Sequence, residues 1–158
     1  MAHERRDLGL SVWAALLRTH AAVVPRIEAD LLAATDLPIQ WYDVLLELEH
    51  APSRRLRMQE LGERAVLSRT RVSRIVDELV AAGLAVREPD PNDGRVFYAA
   101  ITPPGRSRLR RAAPAYVAAI GKHFADHLTT KELRAVLAAL ERVLATHLGD
   151  GGAASRAG

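Results

Sequence analysis

"LSRTRVSRIVDELVAAGLAVREPDPNDGRVFYAAIT", residues 67–102, joins two different periodicities. In its first half, at 100° per residue, Val72, Ile75, Val76 and Leu79 gather on one side of a helix spanning about residues 69–82. Thr70, Ser73, Arg74 and Asp77 fall on the opposite side, with Arg71 flanking them. Ser68 is placed as the N-cap, where a hydroxyl accepts an otherwise unpaired amide of the first turn, and Gly83 as the stop. The second half reads as two short apolar strands about a Pro/Asn/Asp/Gly turn, a β-hairpin with a mobile tip at 89–94. Gly94 is expected to let the tip take a positive φ. Asp93 is expected to accept a hydrogen bond that steadies the turn or orients Arg95.

Immediately upstream, "RLRMQELGERAVLS" predicts a short helix over about 56–64, only a few residues before the basic one. A short helix, a tight turn and a second helix with a basic N-terminal half form a helix-turn-helix arrangement, whose second helix enters the major groove of DNA. Arginine bonds guanine through two N–H groups, Ser and Thr bond bases or phosphates, and a helix N-terminus attracts phosphate. The hairpin that follows has the form of a wing, with Arg95 suited to the negative potential of a narrow minor groove. Three arginines on an isolated helix would equally describe a solvated face. The order of elements is what favours double-stranded DNA as the partner.

Further out, residues 8–34 carry apolar side chains at helical spacing and predict one long helix, bent or strained at Pro25. A second helix starts at Pro38 and ends before Pro52, with Trp41, Val44, Leu45 and Leu48 as its stripe. After the hairpin, Thr102–Pro103 starts a helix that reaches about 127 with a kink or break near Pro114, and Thr129 or Thr130 caps a last one. The sequence therefore predicts a mostly α (α+β) chain, a winged helix-turn-helix with a two-stranded β-wing. Its expected divisions are 1–34, 35–101, 102–148 and a glycine-rich tail, 149–158, without structure.

Composition agrees and narrows the classes. Of 158 residues, 49% are hydrophobic and 26% charged, enough apolar side chain for a core. Ala and Leu dominate while aromatics reach only 4%, a balance that favours helix. A net charge of +3, with arginine supplying nearly all the cations, makes the placement of charge matter more than its sum. With no cysteine, disulfide frameworks, thiolate metal sites and cysteine nucleophiles are excluded. The charged start MAHERRDLGL lacks a leader's apolar core, and no unbroken apolar run has the length of a membrane span, so the chain is expected in the cytoplasm with no membrane partner.

Residues 38–111 closely resemble the MarR family of winged-helix transcription regulators. The family pattern S-x-x-x-V-[ST]-R-[LI]-V-D-x-L is met by "SRTRVSRIVDEL", and G-L-V-x-R-x-x-x-P-x-D-x-R is matched closely by "GLAVREPDPNDGR". The family's T-[DE]-x-G becomes Thr102, Pro103, Pro104, Gly105, a departure expected to alter only the start of a helix. The resemblance implies an obligate homodimer built from N- and C-terminal dimerisation helices, usually a repressor on a pseudo-palindromic operator. It places Ser68, Arg69, Thr70, Arg71, Ser73, Arg74, Asp93 and Arg95 at the DNA. It further implies a small aromatic acid or urate-like ligand, for which Trp13, Glu63, Arg95 and Arg108 match the positions used by a urate-responsive subgroup.

Other chemistry is sparse. His123 and His127 stand at i and i+4, suited to two metal ligands, yet Phe124 occupies the place of the HExxH glutamate. No phosphate loop, G-x-S-x-G elbow or paired-carboxylate site supports an enzyme, and no cofactor is expected. The alternative reading is a helical ligand-binding or dimerisation module that does not bind DNA.

Overall fold

The computed structural model describes residues 1–151. Ala2–Thr35 forms α1, Ile39–His50 α2, Arg55–Arg57 β1, Met58–Arg64 α3 and Arg69–Ala81 α4. Ala85–Pro89 and Phe97–Ile101 form β2 and β3, followed by α5, Pro103–His123, and α6, Thr130–Gly151. Met1–Ala119 packs as one unit and the chain from Ile120 as a second.

In the first unit the apolar stripes meet as the sequence dictates. Val72, Ile75, Val76 and Leu79 of α4 are all buried, as are Val44, Leu45 and Leu48 of α2 and Leu31 of α1. Ser68 caps α4 by accepting from the amide of Arg71 at 3.3 Å. Gly83, at φ 71°, ends the helix segment in the left-handed region that glycine enters without a steric penalty. The next residues feed β2, which pairs antiparallel with β3 from Ala85↔Ile101 to Pro89↔Phe97.

Several expectations are corrected. The sheet has three strands in the order β1-β3-β2, because Arg55–Arg57, expected at the entry to a helix, pairs with Tyr98–Ala100 instead. The only glycine with positive φ among the described residues is Gly83, so Gly94 does not make the wing turn by left-handed backbone. Helix α5 runs without a break past Pro114 and stops at His123, while Pro25 lies inside the single long helix expected of α1. His127 belongs to a separate 3-10 turn, Ala125–His127, so the two histidines do not share one helix face. Of the tail 149–158, residues 149–151 continue α6 and the rest lies outside the described residues.

Residues 102–105 make the start of α5. Pro103 sits at the first helical position, where a missing N–H costs nothing. Thr102 donates its hydroxyl to the carbonyl of Gly83 at 2.7 Å and accepts from the amide of Gly105 at 3.1 Å. In the second unit Thr129 and Glu132 form a reciprocal capping box on α6, the carboxylate accepting from the Thr129 amide at 2.8 Å and the Glu132 amide donating to the Thr129 hydroxyl at 3.3 Å.

One half-buried acid has a consequence for stability. The Tyr116 hydroxyl of α5 donates to Asp43 of α2 at 3.5 Å, and the Tyr42 and Tyr116 rings stack at 4.2 Å between centroids. Burial pushes the Asp43 carboxyl up to about 6; the Tyr116 hydrogen bond opposes this and Glu47 adds to it. A carboxyl whose pKa is raised by folding binds its proton more tightly in the folded state. Its contribution is therefore full below pH 4 and is lost as pH rises through about 6. Wild type should lose about 1–2 kcal/mol between pH 4 and 7 relative to Asp43→Asn, a figure already reduced for partial solvent screening. Urea denaturation of both proteins across that range measures it; parallel curves would show that Asp43 titrates normally.

Candidate nucleic-acid interface

Helix α4 presents its first turns outward: Ser68, Arg69, Thr70, Arg71 and Arg74 are exposed while the stripe behind them is buried. The arginines are not loose. Arg71 donates from Nε to Gln40 Oε1 at 3.2 Å, and Arg74 from Nε to Glu78 Oε1 at 3.1 Å. The other carboxylate oxygen of Glu78 accepts from the indole of Trp41 at 3.0 Å. These donors hold the Glu78 carboxyl below the usual carboxylate range, Trp41 first and Arg74 second. Gln40, Thr70, Arg71, Arg74 and Glu78 line a cavity of about 440 Å³.

Ser73 differs from the helical-wheel expectation. It is half-buried, and its hydroxyl and carbonyl accept from Arg87 of β2 at 3.0 and 3.1 Å. The same guanidinium pairs with Asp77 at 2.8 Å, so Ser73 and Asp77 tie α4 to the root of the wing.

The wing is fixed at its base and open at its tip. Asp90 is buried, accepts from the amide of Asn92 at 2.9 Å and pairs with Arg57 at 3.2 Å. The Asn92 amide is the first cause holding its carboxyl below the usual range. Arg57 also donates to the Tyr98 hydroxyl at 3.1 Å, and Arg55 lies over the Tyr98 ring at 4.8 Å. Asp93 accepts from the amide of Arg95 at 3.0 Å, as expected, and its carboxylate stands 3.5 Å from the guanidinium. The Arg95 side chain is 95% exposed. Between wing and α4, Arg57, Arg69, Arg87 and Arg95 line one cavity of about 410 Å³. Four guanidiniums thus surround one recess, three of them paired with an aspartate, Arg57 with Asp90, Arg87 with Asp77 and Arg95 with Asp93.

The expected ligand residues stand on different elements. Trp13 is 58% exposed on α1, and Glu63 accepts from Gln59 at 3.1 Å on the outer face of α3. Arg108 donates to the carbonyl of Asp36 at 3.0 Å and borders a cavity of about 520 Å³ with Leu32, Leu37, Trp41 and Leu84. Arg95 and Arg108 thus line different cavities. Among the described residues no group of three or more His, Cys, Asp or Glu side chains is placed to hold a metal ion.

Gln40, Glu78, Arg57, Arg87 and Asp90 were not singled out by sequence. Asp90 carried a signal, since an aspartate two residues before the amide it binds is an Asx turn. The others act through pairings between elements, which local patterns do not encode.

A family profile described as MarR family matches residues 35–96. Over 68 residues the chain is 34% identical to an uncharacterized HTH-type transcriptional regulator, YkoM, of Bacillus subtilis (strain 168), a match spanning 43% of this chain and 44% of that one. Sco3205, a MarR family transcriptional regulator from Streptomyces coelicolor solved in complex with DNA, superposes with a TM-score of 0.78. It is 30% identical, over 87% of this chain and 86% of that one. CouR from Rhodococcus jostii RHA1, solved bound to p-coumaroyl-CoA, superposes at 0.69 with 26% identity over 84% and 90% of the two chains.

Proposed function

The chain belongs to the MarR family of transcriptional regulators, a family of regulators and not of enzymes, and from that premise we propose that it binds duplex DNA as a homodimer. Its operator is pseudo-palindromic, since a two-fold protein matches a two-fold site. In this reading it represses nearby genes in the cytoplasm and is released by a small anionic ligand. The observation that carries the DNA reading is the recess lined by Arg69 of α4, Arg57 and Arg87 of the sheet and Arg95 of the wing. A phosphate backbone is the polyanion that such a surface fits, with Thr70, Arg71 and Arg74 turned toward the base edges.

The ligand rests on two supports: the relative bound to p-coumaroyl-CoA, and the cavity of about 520 Å³ beside Arg108. Apolar walls, the Trp41 ring and one guanidinium suit an aromatic or urate-like acid. In this reading Arg108 and Trp41 face the ligand.

Anisotropy titrations of a labelled duplex at several salt concentrations test the DNA reading. Released counterions make log affinity fall linearly with log salt, and Arg95→Ala should lower that slope by about one unit while weakening all sequences alike. A helical module without DNA binding would give no titration. An unchanged slope would mean that Arg95 does not reach the backbone.

A further inference from the structure

Glu78 is out of place on a surface that binds DNA. Its side chain is 40% exposed and lines the same cavity as Thr70, Arg71 and Arg74, where a carboxylate repels every approaching phosphate. A residue that weakens binding to all duplexes requires a compensating effect on some of them. The geometry supplies one. Glu78 Oε1 accepts from Arg74 Nε at 3.1 Å, and Oε2 accepts from the Trp41 indole at 3.0 Å. Trp41 is anchored on α2, so the carboxylate is braced from outside its own helix and in turn braces the guanidinium.

We propose that Glu78, held by Trp41, is a positioning residue that presents Arg74 for base reading and thereby converts general DNA affinity into sequence discrimination. This rests on the DNA-binding reading above. A guanidinium has five N–H donors, and the contact to Glu78 takes only the one on Nε. Four remain on the two terminal nitrogens, in the fork that matches guanine O6 and N7. Without the brace, the 81%-exposed Arg74 side chain is free to leave the base edge and pair with the nearest phosphate, a contact that carries no sequence information. Gln40 and Arg71 repeat the arrangement with a neutral acceptor on the same α2. Helix α2 thus orients both arginines.

The probes are the duplex that a randomised library yields on selection with wild type, and a scrambled duplex of equal length, titrated by anisotropy. Glu78→Ala should bind the scrambled duplex about two- to fivefold more tightly, because a negative charge is gone. Its discrimination between the two duplexes should fall about tenfold. Trp41→Phe, which keeps a ring but loses the donor, should lower discrimination about threefold with scrambled affinity unchanged. Glu78→Gln keeps an oxygen for Arg74 and should retain most discrimination while sharing the gain in scrambled affinity. In an Arg74→Ala background, Glu78→Ala should change discrimination no further.

Loss of both affinities in step with a lowered melting temperature would make Glu78 a structural tie and overturn the proposal. So would full discrimination in Glu78→Ala. If wild type enriches no sequence from the library, the DNA-binding reading itself falls and takes this proposal with it; the variants decide the proposal only once wild type has selected a site.

Discussion

Gly105→Ala will destabilise the chain by about 4 kcal/mol, lowering the melting temperature by roughly 8–16 °C for a protein of this size. A Cβ built on Gly105 would lie 2.1 Å from the carbonyl oxygen of Leu84 and 2.9 Å from Ile101 Cγ1. The obstacle is backbone on one side and a β3 side chain on the other, so no rotamer change relieves it. Helix α5 would have to lift from the 83–84 turn, where it is tied by the Thr102 hydroxyl to Gly83 at 2.7 Å and by the Thr102 amide to Leu84 at 3.1 Å. Gly94→Ala is the matched control: nothing lies within 4 Å of its Cβ position and its φ is not positive, so its effect should stay within about 0.5 kcal/mol. Melting temperatures by circular dichroism separate the two. A Gly105→Ala protein melting within 3 °C of wild type would show that the close approach is soft.

The contrast between these glycines marks what a single sequence encodes. Gly83 was legible because a helix stop is a local event: an amphipathic run ends, and glycine alone enters the left-handed region cheaply. Ser68 was legible for the same reason, as was the α4 stripe. Gly105 was visible as part of a motif, but its need is tertiary, the carbonyl of Leu84 on another element. β1 was hidden because Arg-Leu-Arg has no strand propensity of its own; pairing with Tyr98–Ala100 makes it a strand. The turn between α3 and α4 was legible, but its backbone conformation was hidden. Val66 adopts φ 55° and is 89% exposed, a strained conformation for a β-branched residue at a place where no Gly, Asn or Asp marks it.

The candidate site divides along the same line. Residues that project outward from α4 followed from helical periodicity, and Asp93 with Arg95 followed from turn chemistry. Ser73 was misplaced because Arg87, a residue of β2, turns its hydroxyl toward the sheet. The Trp41–Glu78–Arg74 chain was invisible because Trp41 reads, by spacing, as one more apolar side chain of α2. Only the packed helices reveal that its indole N–H has a carboxylate to meet.

Deleting residues 1–24 should abolish the dimer and, with it, lower operator affinity by about 10²- to 10⁴-fold, the factor that joining two half-site contacts contributes. Among the described residues none before Ile27 is buried, so the deletion removes nothing from the core around α2 and α4. Yet this part of α1 is far from polar: Leu8, Leu10, Val12, Trp13, Leu16 and Leu17 are between 41% and 63% exposed. A helix of 34 residues is about 50 Å long, and this one carries an apolar stripe well beyond the part that packs on its own chain. One 18-residue window reaches a mean hydropathy of 1.3, high enough by composition alone for a bilayer. Membership in a family of regulators favours a second copy of the chain as the partner, and a two-fold operator requires two recognition helices at fixed spacing. The α6 helix has the same unmet need, with Leu137, Val143 and Leu144 each more than half exposed. Sedimentation equilibrium should therefore show a dimer for the intact chain and a monomer for the truncated one, whose circular dichroism still reports a folded helical lobe. Its titration with the selected duplex should shift by two to four orders of magnitude while retaining a salt slope about half that of the dimer. An intact chain that sediments as a monomer, or a truncated one that binds at full affinity, would place the functional unit in the single lobe and require another account of the exposed stripe.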